Sequence, residues 1–261
     1  MIEIDNIYNE SNLDTIARME DNSIDLVVTS PPYDGLRKYN GYCFDFEALV
    51  KGLYRVMKNG GVVVWIVNDA TVDGSETGTS FRQALYFMEC GFNLHDTMIW
   101  AKDGGGAVGS NLAYTQNFEY MFVFSKGRPK TTNLIKDKQN LSFGQDKSGI
   151  GRRKADGSLK VESRKESSQF SKRNNWRLLV PGKEEGSEFH PAVFPEKLVR
   201  DHIISWSNEG DIVYDSFSGS GTTAKVAYMN NRHYIGSEIS KEYYEKANKR
   251  IDAEKRQLKL F

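Results

Sequence analysis

The stretch Thr29-Ser30-Pro31-Pro32-Tyr33 combines hydrogen-bond acceptors, rigidity and an aromatic face. Consecutive prolines fix φ and push the residue before them extended, so the stretch is a stiff loop. It offers the Ser30 hydroxyl, carbonyls at Pro31 and Pro32 with no competing N–H, and the ring of Tyr33. That set suits a planar base bearing an amino group. The Tyr33 ring would stack on the base while oxygens at Ser30 and Pro31 accept the amino hydrogens. Taken alone, the stretch reads equally well as a proline turn after a strand. A second candidate is Asp215-Ser216-Phe217-Ser218-Gly219-Ser220-Gly221-Thr222-Thr223. Its Gly219 and Gly221 have the GxG spacing that lets a backbone turn tightly and approach a ligand closely. The third glycine of a dinucleotide fingerprint is missing, and no Gly-Lys-Ser/Thr follows, which excludes a P-loop. By itself this segment leaves a ligand loop and a plain tight turn both open. Glu238, about twenty residues past the loop, can accept hydrogen bonds from both ribose hydroxyls of a nucleoside. A helix cap ahead of Ser240, or a surface charge, is the plainer role for Glu238. The glycine loop and the acid together favour ribose binding.

Strands and helices must bring these residues to one place. Residues 23–29 are a β-branched run that stops at the prolines, a buried strand ending in the rigid loop. Apolar residues at Phe46, Leu49, Val50, Leu53, Tyr54 and Met57 have helical spacing. Asn59-Gly60-Gly61 is expected to end that helix. Residues 62–67 are continuously apolar, so this strand is expected to be covered on both faces. Thr79 or Ser80 is expected to cap a helix running through Glu89. Strands follow near 94–101 and 118–124, with a Gly-rich mobile loop over 103–109 between them. After residue 190 come a helix over 195–206 with Pro195 in its first turn, a strand over 211–215 and a helix over 221–230. A strand over 233–238 and a closing helix from Ser240 complete the order. Strands alternating with helices predict an α/β fold, a mostly parallel sheet with helices on both faces.

Between these halves the texture changes. Residues 127–190 are polar and hold fifteen Lys or Arg against eight Asp or Glu, a net +7. The chain as a whole carries 35 basic and 35 acidic residues, so its neutrality hides a basic insertion on an acidic body. The two cysteines, Cys43 and Cys90, form no CxxC, and the four histidines do not cluster. This argues against a structural zinc and a disulfide framework, and suits a reducing cytoplasm. No apolar run has the length of a membrane span, and the N-terminus lacks the apolar core of a signal peptide.

Together the two motifs become specific. Thr29-Ser30-Pro31-Pro32-Tyr33 resembles the catalytic motif of DNA amino-methyltransferases, and Asp215 to Thr223 resembles their cofactor motif. Catalytic motif first, cofactor motif last and a basic insertion between them is similar to the β class of that family. The resemblance implies a Rossmann-like methyltransferase fold with permuted motif order, using S-adenosylmethionine, and the cysteine and histidine pattern adds no metal to that expectation. It implies a catalytic half over 1–126, a target-recognition insertion over 127–189 and a cofactor-binding half over 190–261. It also implies that the N-terminal segment near 4–8 supplies the strand beyond Glu238.

Carried over residue by residue, the catalytic set is Ser30, Pro31, Pro32 and Tyr33. The cofactor set is Ser30, Asp215, Phe217, Ser218, Gly219, Gly221, Thr222, Thr223 and Glu238. His190-Pro191-Ala192-Val193-Phe194-Pro195-Glu196-Lys197-Leu198 resembles the segment flanking the methionine part of the cofactor, which adds Phe194 and Lys197. Where the family carries Gly-Asp after its N-terminal strand, this chain has Asn9-Glu10-Ser11, so Glu10 takes the adenine-contacting place. Acceptors at the proline loop would pull the amino nitrogen toward sp³ character and aim its lone pair at the methyl donor, so a strong general base is not essential. Ser in the first motif position accompanies cytosine N4 in this family, whereas Asp accompanies adenine N6.

In the insertion, Arg152, Arg153, Lys154, Lys172 and Arg173 are the candidate contacts to double-stranded DNA. Lys102 with Gly104-Gly105-Gly106 is a candidate loop over the flipped base. A homodimer and a cognate restriction endonuclease are further partners of the class. The competing readings are an adenine N6 enzyme, the same chemistry on RNA, and a catalytically silent DNA-binding module.

Overall fold

The structure is a computed structural model that describes residues 2–32, 45–102, 116–145, 150–162, 168–179 and 194–258. Eight strands form one sheet among the described residues: β1 (Asn6–Tyr8), β2 (Ile24–Thr29), β3 (Met57–Val67), β4 (Asn93–Ala101), β5 (Phe118–Ser125), β6 (Trp176–Leu178), β7 (Ile212–Asp215) and β8 (His233–Ser237). Their order is β1-β8-β7-β2-β3-β5-β4-β6. Only β5 runs against its neighbours β3 and β4; every other pairing is parallel. The N-terminal strand β1 pairs with β8 through Asn6↔Ile235, Ile7↔Gly236 and Tyr8↔Ser237, as the permuted order requires.

Among the described residues six helices cover the two faces: α1 (Asn12–Arg18), α2 (Phe46–Val56), α3 (Thr79–Glu89), α4 (Glu196–Trp206), α5 (Thr222–Met229) and α6 (Lys241–Leu258). Alternate residues of the central strands feed separate cores, as the two-residue period of a strand dictates. Leu26, Val28, Val62, Val64 and Ile66 pack with α4, α5 and α6. Val27, Val63, Trp65 and Val67 pack with α1, α2 and α3. Burial of Leu49, Val50, Leu53 and Val56 on one stripe holds α2 down, at about 1.5–3 kcal/mol per side chain. Asp45 caps its start, accepting the Ala48 N–H at 2.9 Å.

Two local expectations are corrected. Asn59-Gly60-Gly61 does not end α2. The helix stops at Val56, because Met57 is extended and already pairs with Ile24 of β2, and residues 59–61 belong to β3. Neither Thr79 nor Ser80 caps α3. Gly78 is the N-cap residue, and the carboxylate of Asp69, just past β3, accepts the Ser80 N–H at 2.8 Å and the Ser80 hydroxyl at 2.5 Å. A side chain brought in by the fold supplies the cap that a local residue was expected to make. Pro195 is the N-cap residue of α4, one position before its first turn.

Residues Leu134–Asn174 form a compact unit of their own, separate from Met1–Asn133 with Asn175–Phe261. Among its described residues this smaller unit holds two antiparallel strand pairs, Ile150–Arg153 with Leu159–Glu162 and Lys138–Gln139 with Phe170–Ser171. No helix among the described residues is long and apolar enough to cross a membrane.

Candidate functional site

The chain leaves β2 through α2 to reach β3 on one side, and leaves β7 through α5 to reach β8 on the other. The carboxyl ends of β2 and β7 therefore flank the point where the connections diverge, the ligand-binding crevice of open α/β sheets. Ser30-Pro31-Pro32 leaves β2 there, and Ser216-Phe217-Ser218-Gly219 leaves β7 beside it.

Two hydrogen bonds join these loops. The Thr29 hydroxyl donates to Asp215 Oδ1 at 2.7 Å, and the Thr223 hydroxyl donates to the Val28 carbonyl at 3.2 Å. Both pairs are buried. Asp215 Oδ1 also accepts the Phe217 N–H at 3.0 Å, so the carboxylate folds its own loop. Burial raises the Asp215 carboxyl above its ordinary range, while the bonds from Thr29, Phe217 and Thr223 pull it back.

The glycine loop is shaped by its neighbours. The Ser218 N–H bonds the Ser237 carbonyl at 2.9 Å, and the Gly221 N–H turns back to the Ser218 carbonyl at 2.7 Å. Gly219 and Gly221 have φ of 50° and 75°, the left-handed region that glycine occupies without strain. Gly221 is the N-cap residue of α5, so the N–H groups of the first α5 turn lack intrahelical partners. Glu238 follows β8, and its own N–H bonds the Tyr8 carbonyl at 2.9 Å. Its Oε2 accepts the Gly219 N–H at 2.8 Å, and its Oε1 accepts the Ser240 N–H at 2.8 Å. The cap role and the loop contact thus coexist in one carboxylate, with a further lone pair on each oxygen. Burial raises the Glu238 carboxyl; the Ser240 and Gly219 N–H groups oppose that rise and the Asp215 charge adds to it.

The remaining candidates divide clearly. Ser30 and Pro32 are half-buried and Pro31 is buried. Tyr33 and the segment 180–193 lie outside the described residues, as does the Gly-rich stretch 103–109. Lys102, at the start of that stretch, pairs with Glu119 and sits 4.8 Å over the Trp100 ring. Phe217 meets the Trp65 ring at 6.4 Å. Phe194 packs on the core beneath α4, and Lys197 is exposed on the first turn of that helix. Glu10 is engaged locally: it accepts the Thr15 hydroxyl at 2.8 Å and pairs with Arg18. In the smaller unit, Arg153, Lys154 and Lys172 are exposed. Arg173 donates its Nε to Asp137 at 2.6 Å. Arg152 lies on the strand Ile150–Arg153.

Sequence reasoning missed three contributors. Thr29 was only part of a motif, yet it links the two loops. Asn12, the first residue of α1, donates to the Ser216 carbonyl at 3.4 Å, and its buried Oδ1 finds no donor among the described residues. Arg250 is only 7% exposed, donating to the Ser220 carbonyl and the Thr222 hydroxyl at 3.1 Å each and to Glu196 at 2.6 Å. It ties α6, α5 and α4 together behind the glycine loop. A signal for Arg250 existed: it falls between Ala247 and Ile251 on the apolar stripe of α6, where an unpaired charge would be costly.

Comparison with known proteins agrees with this geometry. The profile of the DNA methylase family matches residues 24–249. The orphan methyltransferase M.BamHII of Bacillus amyloliquefaciens is 58% identical over 241 residues, which span 88% of this chain and 89% of that protein. Among solved structures, the PvuII DNA methyltransferase, described as cytosine-N4-specific, superposes with a TM-score of 0.67 at 21% identity, covering 93% of this chain and 84% of that one. A DNA modification methylase of Thermus thermophilus, complexed with S-adenosyl-L-methionine, superposes with a TM-score of 0.66 at 22% identity, covering 95% and 93%.

Proposed function

This chain belongs to the DNA methylase family, and we propose that it transfers a methyl group from S-adenosylmethionine to the N4 amino group of a cytosine flipped out of double-stranded DNA. The observation that carries the reading is the 2.7 Å bond from Thr29 to Asp215. It joins the proline loop and the glycine loop into one unit at the divergence point of the sheet, so that a base-binding loop adjoins a nucleoside-binding loop.

The residues fit the cofactor on chemical grounds. Glu238 is a largely buried carboxylate whose remaining lone pairs suit ribose hydroxyls. The unpartnered buried Oδ1 of Asn12 is an acceptor beside the same loop. The opening turn of α5 presents N–H groups that suit the carboxylate of the methionine part. When bound, the cofactor supplies a methyl group activated by its sulfonium charge. Asp215 and Glu238 are the acidic residues of this loop, and each accepts hydrogen bonds that favour its ionised form, the sign complementary to that cation.

The chain's own work is orientation. Ser30 and the Pro31 carbonyl accept the amino hydrogens, and Tyr33 stacks on the base. The target nitrogen then directs its lone pair at the methyl carbon, and its proton leaves to an acceptor of the loop or to water. Ser30 at the first motif position supports cytosine over adenine. In the smaller unit Arg153, Lys154 and Lys172 offer exposed charge to phosphates.

The test is incubation of mixed-sequence DNA, and in parallel of RNA, with tritiated S-adenosylmethionine, followed by nucleoside mass spectrometry. N4-methylcytosine is the expected product. N6-methyladenine would overturn the choice of base, and label on RNA alone would overturn the choice of nucleic acid. A Ser30→Ala variant that methylates as fast as the parent would remove the role given to the proline loop.

A further inference from the structure

Helix α6 carries a charged side chain on the face that packs inward. Ala247 and Ile251 are core residues, and Arg250 beside them is almost wholly buried. That face stands flush against the glycine loop: a Cβ added at Gly221 would be 3.0 Å from Ala247 Cβ and 3.4 Å from Ile251 Cδ1. A guanidinium taken out of water is costly unless it is paired and hydrogen-bonded. Here Nη1 donates to the Ser220 carbonyl and to the Thr222 hydroxyl oxygen at 3.1 Å each, and Nη2 donates to Glu196 Oε1 at 2.6 Å.

The charges around Arg250 cancel. Glu196 Oε1 also takes Lys225 Nζ at 2.9 Å, and Lys225 lies 3.4 Å from Glu254. Two cations and two carboxylates are formally neutral, so net charge is not what the group contributes. Nor does a buried ion pair add much stability over apolar side chains of the same volume. What an arginine supplies here and an apolar residue does not is direction, through a planar fork of donors in fixed geometry.

That direction falls on the most permissive part of the loop. Gly219 and Gly221 flank Ser220, both with positive φ, and a glycine backbone has many conformations to lose. The peptide between Ser220 and Gly221 is held at both ends, its carbonyl by Arg250 and its N–H by the Ser218 carbonyl at 2.7 Å. A peptide unit is planar, so the two bonds fix its orientation. The bond to the Thr222 hydroxyl fixes the first residue of α5 in turn. The N–H groups of Ser220, Thr222 and Thr223 find no acceptor among the described residues. They are the donors available to the carboxylate of the methionine part.

We propose that Arg250 is a positioning residue for cofactor binding: by holding the Ser220 carbonyl and the Thr222 hydroxyl, it pre-sets the opening turn of α5 for the carboxylate of the methionine part. Arg250 works through the loop rather than by contact with the cofactor. Donors already in place lose no further conformational freedom on binding. The inference rests on the carboxylate site given under the function proposed above, and not on the choice of base or of nucleic acid.

Calorimetry on the full chain separates this role from a general one. S-adenosylhomocysteine keeps the amino-acid carboxylate, whereas 5′-methylthioadenosine keeps the adenine and ribose without it. Arg250→Met should weaken S-adenosylhomocysteine about tenfold to a hundredfold, the loss expected when hydrogen bonds from a charged donor no longer hold the loop. Binding of 5′-methylthioadenosine should stay within about threefold of the parent. Arg250→Lys, which keeps the charge but not the fork, should fall between parent and Arg250→Met. If Arg250→Met does not fold, Glu196→Gln weakens the anchor of the fork and should give the same selectivity with a smaller loss, about threefold to tenfold. Unchanged affinity for S-adenosylhomocysteine would overturn the proposal. Equal losses for both ligands would overturn it too, and would make Arg250 a packing residue. A parent that binds the two ligands equally would overturn the carboxylate site at α5 and the proposal with it. A parent that prefers S-adenosylhomocysteine but labels no DNA would overturn the proposed function and leave the role of Arg250 standing.

Discussion

Replacing Thr29 by valine removes the hydroxyl that bridges the two loops while keeping the shape of the side chain. Thr29 is fully buried and Asp215 is 2% exposed, so water cannot substitute for the missing donor. The lost bond is 2.7 Å long and ends on a carboxylate. A hydrogen bond to a charged group contributes about 1.5–3 kcal/mol, and with little volume change no cavity term is added. Asp215 keeps the Phe217 N–H, so the loss should lie within that range rather than above it. For a unit of this size it amounts to a fall of about 3–12 °C in the unfolding midpoint.

The loss also has a pH signature. Burial already holds the Asp215 carboxyl above its ordinary value, and the Thr29 bond is one of the contacts pulling it down. Without Thr29 the carboxyl rises further. The donor matters while the group is ionised and matters less once it is protonated. The difference between parent and Thr29→Val is therefore largest at pH above the raised carboxyl value, and shrinks as pH falls through it. Thermal unfolding followed by circular dichroism at about pH 8 and about pH 5 measures this, with S-adenosylmethionine affinity measured alongside by calorimetry. A loss below about 0.5 kcal/mol, or one that is the same at both pH values, would refute the bridging role.

Two further predictions concern the parts around the site. Burial pushes His202 down to about 4, with its Nε2 3.4 Å from the Met121 sulfur and with Asp201 and Arg177 nearby. A folded value below the unfolded one means stability present above about pH 6.5 and lost as pH falls toward about 4, so lowering pH from 7 to 5 should cost about 2 kcal/mol; urea titrations of His202→Gln should show a flatter pH profile than the parent. A Cβ added at Gly236 would stand 2.3 Å from the Ser218 hydroxyl and 3.0 Å from Ile7 Cγ1. Gly236→Ala should therefore cost about 1–3 kcal/mol by overpacking and weaken cofactor affinity, and adding Ser218→Ala should return part of both in paired thermal and calorimetric measurements.

Much of the architecture is legible in the residues themselves. The apolar runs at 24–29 and 62–67 are strands because they are buried on both faces, and α2 is a helix because its apolar residues recur on one stripe. The proline loop and the glycine loop are legible for a related reason. Their backbone conformations depend on residue type, on fixed φ at Pro31 and Pro32 and on positive φ at Gly219 and Gly221. Local chemistry also singled out Glu238 as a candidate. What stayed hidden depends on partners far away in the chain. The cap on α3 comes from Asp69 rather than from Thr79 or Ser80, and Asn59-Gly60-Gly61 enters a strand because β2 is there to pair with it. The local partners of Glu10, Thr15 and Arg18, were likewise not legible in the sequence. Arg250, which no local motif singled out, is buried against the glycine loop.

Residue types and spacing alone therefore marked out two candidate loops, because backbone preference and hydrogen-bonding capacity are local properties. Only the tertiary structure decided that the loops touch. Residues 29 and 215 are 186 positions apart, and it is the parallel pairing of β2 with β7 that places a threonine hydroxyl on a buried aspartate between them.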